Sequence, residues 1–206
     1  MVAMLGPDGA GKSTVAKLVL VALAPTFPTE KSLHLHWKPK RGEDADAAPV
    51  ADPHGQTPRG TLVSMVFLLY HWVGFVIGWY NVVRPRLFRA GMVLIDRYYM
   101  DMGVDQKRYR LGTPSWMVHL LGRLVSQPAI TFCLDAPADV LYKRKPEVPI
   151  ETLEKLRTRY RALANKLPNT HVIDCNRPPV EVAAECVDKV LDYMSARLRK
   201  RMKWEA

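Results

Sequence analysis

Near the start of the chain, glycines, a lysine and a hydroxyl group follow one another at the spacing of a phosphate-binding loop. The pattern Gly-x-x-x-x-Gly-Lys-Ser is complete from Gly6 to Ser13, and Thr14 follows it. Glycines let successive N–H groups point at phosphate oxygens, the lysine contacts the β- and γ-phosphates, and the serine hydroxyl binds Mg²⁺. The pattern therefore indicates phosphoryl transfer from ATP. The predicted nucleotide-binding residues of this loop are Gly6, Asp8, Gly9, Ala10, Gly11, Lys12, Ser13 and Thr14.

A second acidic element lies further along the chain. Asp96 ends an apolar run that begins at Met92, and Arg97 follows it. An acid at the end of a buried strand, together with a phosphate-binding loop, is typical of a Mg²⁺ site. We predict Ser13 and Asp96 as the metal ligands and Mg²⁺ as the cofactor. Arg97 is predicted to clamp a phosphate or to stabilise the transferring phosphoryl group.

Asp8 is an unusual residue to find inside a phosphate-binding loop. A carboxylate so close to the γ-phosphate is electrostatically costly unless it serves the acceptor. We predict that Asp8 orients the acceptor hydroxyl or accepts its proton. Asp8, Lys12 and Arg97 are thus predicted catalytic residues.

Three adjacent cations, Lys143-Arg144-Lys145, precede the stiff segment Pro146-Glu147-Val148-Pro149. Such an arrangement suits a short lid, residues 143–150, that closes over the phosphates and excludes water. Arg144 is the predicted catalytic and phosphate-binding residue of this lid.

Short apolar runs alternate with helical stretches. Strands are predicted at Val2–Leu5, His34–Trp37, Met92–Asp96, Ile130–Asp135 and His171–Asp174. Helices are predicted over 12–24, 61–83, 115–126, 138–145, 149–166 and 179–203. This alternation predicts an α/β fold of three layers, with a mostly parallel sheet of about five strands between helices. In such a sheet ligands bind at the carboxyl ends of the strands, where the residues named above fall. We expect one domain over 1–206.

Residues 61–83 contain no Asp, Glu, Lys or Arg, and on length alone they could cross a membrane. They are interrupted by polar residues and lie between two parts of one nucleotide site. We therefore predict a long helix buried in a soluble core, with a helix that also touches membrane or a lipid substrate as the alternative. The preceding segment, 38–60, is rich in proline and glycine and is predicted to be a flexible loop.

Composition and charge limit the kind of partner, the kind of metal site and the cellular location that we expect. A net charge of +10 implies an anionic partner, whether nucleotide, nucleic acid or lipid. The three cysteines, Cys133, Cys175 and Cys186, show no metal-ligand spacing and are expected to be buried reduced thiols. The N-terminus lacks the features of a signal peptide, so we expect a cytoplasmic protein.

Taken together, these motifs resemble those of the thymidylate kinase family of nucleoside monophosphate kinases. The resemblance rests on the loop from Gly6 to Thr14, on Asp96-Arg97-Tyr98, on Leu134-Asp135-Ala136-Pro137 with the basic run after it, and on Val172-Ile173-Asp174. It implies that Asp8, Arg97 and Tyr98 bind the acceptor and that Arg144 is the lid arginine. It also implies that the Asn176-Arg177-Pro178 loop lies near adenine, which adds Arg177 to the nucleotide-binding residues.

The chain departs from that family where the acceptor base would bind. Thymidylate kinases usually continue the Asp-Arg-Tyr element with small residues and a glutamine that hold thymine, whereas here the residues are Tyr99 to Arg110. With the uncharged 61–83 segment and the short lid, the pattern resembles divergent members associated with bacterial surface polysaccharide and lipid pathways.

Three functions follow for the sequence. The first is a kinase that phosphorylates a nucleoside monophosphate such as dTMP. The second is a kinase of the same fold acting on a sugar or a lipid-linked intermediate, with peripheral lipid contact. The third is a nucleic-acid-linked ATPase, although no specific nucleic-acid signature is present. A homodimer is left open.

Overall fold

The computed structural model of the protein describes residues 1–36 and 57–202. Five parallel strands form one sheet in the order β2-β3-β1-β4-β5. Their bounds are β1 Val2–Leu5, β2 Leu33–His36, β3 Val93–Asp96, β4 Ile130–Asp135 and β5 Thr170–Asp174. The predicted fold class is confirmed, and the sheet is parallel throughout. Because β1 lies between β3 and β4, the loop after β1 leaves the sheet where the strand order switches direction, the usual place for a ligand.

The predicted helices are present with small shifts of their ends. Three short helices in the described residues are additional: a 3-10 helix at Thr29–Lys31, the helix Arg84–Phe88 and the helix Tyr99–Val104. The bounds of the α-helices are α1 Lys12–Ala22, α2 Thr61–Gly78, α3 Arg84–Phe88, α4 Tyr99–Val104, α5 Ser115–Arg123, α6 Ala138–Arg144, α7 Ile150–Ala164 and α8 Pro179–Met202. A π-helical turn, Trp79–Val83, joins α2 to α3, so that one continuous helix runs over 61–88.

Two hydrophobic clusters cover the two faces of the sheet. Alternate strand residues point to opposite faces, so Val2 and Met4 enter one cluster and Ala3 and Leu5 the other. The first cluster is completed mainly by α1, α6 and α8, and the second by α2, α4, α5 and α7. This arrangement gives the three predicted layers. All three cysteines are free and buried, as expected.

The prediction that residues 61–83 form a helix buried in the core is wrong for most of its surface. In α2 only Ser64, Leu68 and Phe75 are buried. The physical reason is that α2 is an outer-layer helix, which covers the sheet with one stripe and leaves its opposite side outward. Of the loop predicted at 38–60, residues 38–56 lie outside the described residues, and 57–60 have no regular structure.

Candidate functional site

The loop between β1 and α1 has a backbone that only glycine suits at two positions. Gly6 and Gly9 have φ angles of 138° and 83°, in the region that side chains disfavour. A Cβ atom at Gly6 would collide with the carbonyl oxygen of Leu134, and one at Gly9 with that of Leu141. The loop is therefore held against β4 and α6, and it opens directly into the N-terminus of α1, where N–H groups favour an anion.

Lys12 is folded back over this loop. Its ammonium group donates to the carbonyl oxygens of Gly6 and Pro7, each at 2.9 Å. The side chain is almost fully buried, and burial followed by the charge of Arg97 lowers the pKa of Lys12. The nearby carboxylates of Asp96 and Asp8 oppose that shift. Lys12 is thus a desolvated cation inside the phosphate cradle, where its charge acts on a phosphate most strongly.

Ser13 and Asp96, the two predicted metal ligands, are in contact with each other. The Ser13 hydroxyl donates to Oδ2 of Asp96 at 2.6 Å. The other oxygen of Asp96, Oδ1, is buried and has no hydrogen-bond partner. A buried carboxylate oxygen of this kind fits a Mg²⁺ site that one carboxylate, one hydroxyl, water and phosphates complete. Among residues 1–36 and 57–202 there is no group of three or more His, Cys, Asp or Glu side chains that could hold a metal alone.

Asp8 forms a buried ion-pair cluster with two arginines. Its two oxygens accept hydrogen bonds from Arg97 and from Arg108. Burial alone would raise the pKa of Asp8, but the charges of Arg97, Lys12 and Arg108 outweigh it and hold the pKa well below its usual range. Asp8 is therefore an ionised group and a weak base.

The backbone places Arg97 in this cluster. Arg97 follows β3 directly, donates its N–H to the Met4 carbonyl at 3.1 Å, and has a φ angle of 64°. A non-glycine residue in this region marks a turn that its surroundings enforce, often at a functional site. The turn brings the Arg97 guanidinium between Asp8 and Asp101, whose carboxylate it contacts at 3.0 Å.

Asp101 is the second carboxylate that holds the guanidinium of Arg97. This carboxylate is fully buried and also accepts hydrogen bonds from the hydroxyls of Tyr109, at 2.8 Å, and Tyr160. Burial and the charge of Asp101 both raise the pKa values of these tyrosines, so they remain neutral donors. A carboxylate with every donor in place fixes the rotamer of Arg97.

Two residues of the predicted lid, Arg144 and Lys145, make different contacts. Arg144 donates to the Cys175 carbonyl oxygen at 3.0 Å, which ties the end of α6 to the loop after β5. Lys145 pairs with Glu147 at 3.1 Å and lies close enough to Asp8 to lower its pKa. Within the predicted lid, Lys145 is thus the cation whose charge acts on Asp8, and the phosphate-binding role of Arg144 stays a prediction.

The remaining two predicted residues lie apart from the cluster. Arg177 donates to the Asp174 carbonyl and to Glu185 at the start of α8, so it holds the loop after β5 in place. The Tyr98 hydroxyl donates to the Ser126 carbonyl, and its ring packs edge-on against Phe75. Tyr98 is buried and its hydroxyl is engaged, and its role in acceptor binding stays a prediction.

A cavity of about 780 Å³ lies elsewhere on the molecule, between α4, α5 and the end of α7. Its lining is mostly apolar and includes Met100, Trp116 and Leu163. No residue of the phosphate-binding loop is among its lining residues, which also include Gln127 and Pro168.

Comparison with solved structures identifies the fold. A thymidylate kinase from Ehrlichia chaffeensis superimposes with a TM-score of 0.64 over 92% of this chain and 97% of its own, at 19% sequence identity. The chain has a thymidylate-kinase-like P-loop kinase fold. No protein-family model and no curated protein matches the sequence. At 19% identity the likeness establishes the fold alone.

Within this kinase fold, sequence reasoning missed Arg108 and Asp101. Both lie in the segment after Arg97 that departs from the family pattern. The signal for Arg108 was the cluster of cations Lys107, Arg108 and Arg110 in a loop close to the strand edge. The signal for Asp101 was its spacing of four residues from Arg97, which allows an ion pair across one helical turn.

Proposed function

We propose that the protein transfers the γ-phosphoryl group of Mg-ATP to a small acceptor, with a nucleoside monophosphate such as dTMP as the first candidate. The observation that carries this proposal is the buried Asp8–Arg97–Arg108 cluster beside Lys12. It joins the phosphate-binding loop to the segment after β3.

The charges define what each residue does in this reaction. An acceptor oxygen attacks the γ-phosphorus, and the bond to the β–γ bridging oxygen breaks. Lys12 stabilises the phosphates of ATP, and Arg97 and Arg108 stabilise the transferring group and the acceptor. Mg²⁺, held by Ser13 and Asp96, would neutralise charge on the β- and γ-oxygens. A guanidinium has five donors, so each arginine keeps donors for a phosphate while Asp8 holds it.

The depressed pKa of Asp8 bears on the kind of acceptor. A sugar hydroxyl must lose its proton during the transfer, which favours a base with a pKa near the working pH. The phosphate oxygen of a nucleoside monophosphate is already ionised and needs no base. Asp8, being a weak base that fixes two arginines, supports an acceptor that carries its own phosphate.

A second candidate is a lipid-linked phosphorylated acceptor, and a specific contact favours it. The loop that carries Arg108 is bonded to the start of the exposed helix α2. The Ser64 hydroxyl accepts the Gly112 N–H at 2.9 Å, and the Arg59 N–H donates to the Arg110 carbonyl at 3.0 Å. An acceptor held on an apolar anchor would thus lie close to an apolar helix.

The structure offers less support for the nucleic-acid-linked ATPase. The basic residues at 197–202 end α8, which starts after the carboxyl end of β5. With 24 residues, α8 extends for about 36 Å, so its end is far from the phosphate-binding loop.

ATP consumption by the purified protein tests these candidates. The protein is assayed with dTMP, with other nucleoside monophosphates, with free sugars and with a lipid monophosphate, and Lys12→Ala is the inactive control. We expect ADP production that depends on a phosphorylated acceptor and is lost in Lys12→Ala. Turnover with an unphosphorylated sugar alone would contradict the argument from Asp8, and equal turnover by Lys12→Ala would contradict the donor site.

A further inference from the structure

The continuous helix over 61–88 carries an outward-facing apolar stripe. Its members recur every three or four residues, so they lie along one side of the helix. They are Leu62, Val66, Leu69, Val73, Ile77 and Tyr80, all of them exposed. By length and composition this is the one helix among the described residues that could cross a membrane. Exposed apolar rows of this length mark a surface that meets a partner.

The segment that carries the stripe, residues 57–95, has no negatively charged side chain. Residues 57–95 and 106–134, which include α2, α3 and α5, contain no Asp or Glu. The same segments contain eight cations, which are Arg59, Arg84, Arg86, Arg89, Lys107, Arg108, Arg110 and Arg123. An apolar stripe on a segment whose charged residues are all cations, Arg59, Arg84, Arg86 and Arg89, complements an anionic bilayer, whose interior is apolar and whose headgroups are negative.

At the carboxyl end of the helix, an arginine lies against two exposed aromatic rings. The guanidinium of Arg84 lies over the rings of Tyr80 and Phe88, 5.7 and 5.2 Å from their centroids. Arg84, Tyr80 and Phe88 are all exposed. Aromatic rings and arginines prefer the headgroup level of a membrane, where the ring is half buried and the cation meets phosphate.

The topology requires the helix to lie along the membrane rather than across it. β2 precedes the helix and β3 follows it, and the two strands pair from Leu33↔Val93 to His36↔Asp96. A single crossing would place these paired strands on opposite sides of the bilayer. In addition, Leu68 and Phe75 are buried in the core, and the Trp72 indole N–H donates to the Leu121 carbonyl at 3.1 Å.

A second copy of the chain is the competing occupant of this stripe. Two copies related by a two-fold axis would place the stripe against itself. Each copy would then bring its arginines towards those of the other, with no carboxylate in these segments to pair with them. The charge pattern therefore favours lipid over self-association.

We infer that α2 and α3 dock the protein on an anionic lipid bilayer, with the stripe in the headgroup region and Arg84 and Arg89 on lipid phosphates. The side of the helix that carries Leu68 and Phe75 is packed in the core, so only the stripe is free to enter the membrane interface, with the helix parallel to the surface. This inference goes beyond the proposed function. Docking is measured without nucleotide, so its failure would leave the kinase proposal standing, and the reverse also holds.

Co-sedimentation of the full chain with vesicles tests the inference. One vesicle is phosphatidylcholine alone, and the other has equal parts of phosphatidylcholine and phosphatidylglycerol. We expect binding to the anionic vesicles that weakens at high salt, because a surface charge attraction is screened. Val66→Glu should weaken binding about tenfold or more, because it puts a charge on apolar area that the bilayer would bury. Arg84→Ala should weaken it about fivefold.

Val21→Glu is the matched control. Val21 in α1 is 73% exposed and Val66 in α2 is 70% exposed, so both changes put the same charge on an exposed helical valine. Circular dichroism verifies that each variant is folded. Equal loss of binding in both variants, or no binding of the wild type, would overturn the inference. So would a lipid-free dimer, seen by light scattering, that Val66→Glu dissociates while vesicle binding is unchanged.

Discussion

Replacing Asp8 with asparagine removes one charge from a buried cluster and leaves two arginines facing each other. In the wild type the side chain of Arg97 is 7% exposed and that of Arg108 is 18% exposed, so solvent does little to compensate. Breaking a buried ion pair by removing one partner costs about 3 kcal/mol or more. With a urea m value of about 2 kcal/mol/M, the unfolding midpoint should fall by about 1.5 M.

The pH dependence of this loss follows from the direction of the pKa shift. The pKa of Asp8 is lower in the folded protein than the value of about 3.9 expected when it is unfolded. Its stabilising effect is therefore complete above that unfolded value and is lost as the pH falls towards the folded one. The free-energy difference between the wild type and Asp8→Asn should be constant from neutral pH to about pH 5 and shrink below about pH 4.

Asp135→Asn provides a matched comparison. Asp135 is as deeply buried as Asp8 and also pairs with two arginines, Arg157 and Arg161, but the side chain of Arg161 is 56% exposed. The loss of stability in Asp135→Asn should be smaller, about 1.5 kcal/mol, because solvent can take over part of the interaction with Arg161. If urea unfolding gave the same midpoint for Asp8→Asn and the wild type at neutral pH, the cluster would not be the buried ion pair described above. A difference that persisted unchanged at acid pH would contradict the assignment of a depressed pKa.

Three other substitutions test single contacts. Asp96→Asn should raise the Mg²⁺ concentration needed for half-maximal turnover, because the buried Oδ1 becomes a weaker ligand; an unchanged magnesium titration would refute that role. Arg108→Lys should lower kcat/KM about tenfold, because lysine lacks the planar fork that serves Asp8 and a phosphate together, and a normal rate would remove Arg108 from the site. Tyr98→Phe should cost about 1 kcal/mol of stability through the lost bond to Ser126 and leave the KM for the acceptor unchanged, whereas a raised KM would support the predicted acceptor-binding role of Tyr98.

Local pattern predicts the donor half of the site, and the structure brings the predicted residues Lys12, Ser13 and Asp96 together there. The phosphate-binding loop is contiguous, and its glycine positions, lysine and hydroxyl have one common use. The acid at the end of β3 was identified in the same way, because the carboxyl ends of parallel strands meet at one edge. The Ser13–Asp96 contact, between residues 83 positions apart, is the result of that rule. The resemblance to thymidylate kinases then predicted the fold that structural comparison shows.

The hydrogen-bond partners of Asp8 could be identified only from the tertiary structure. Arg97 and Arg108 lie 89 and 100 positions further along the chain than Asp8. The sequence contains several other arginines, and local pattern does not distinguish these two from the rest. Which of them reaches the loop depends on the turn at Arg97 and on the path of the segment after α4. Neither leaves a periodic signal, and the same holds for the contact between Tyr98 and Ser126.

The sequence alone determined that residues 61–83 form a long apolar helix, because length and hydrophobicity are local properties. It could not determine which side of that helix is covered. A helix whose sides are all apolar has no polar face to mark the outside, so the usual periodicity argument gives no answer. Only the packing of Leu68 and Phe75 against the sheet decided that one stripe is buried and that the stripe with Val66 faces outward.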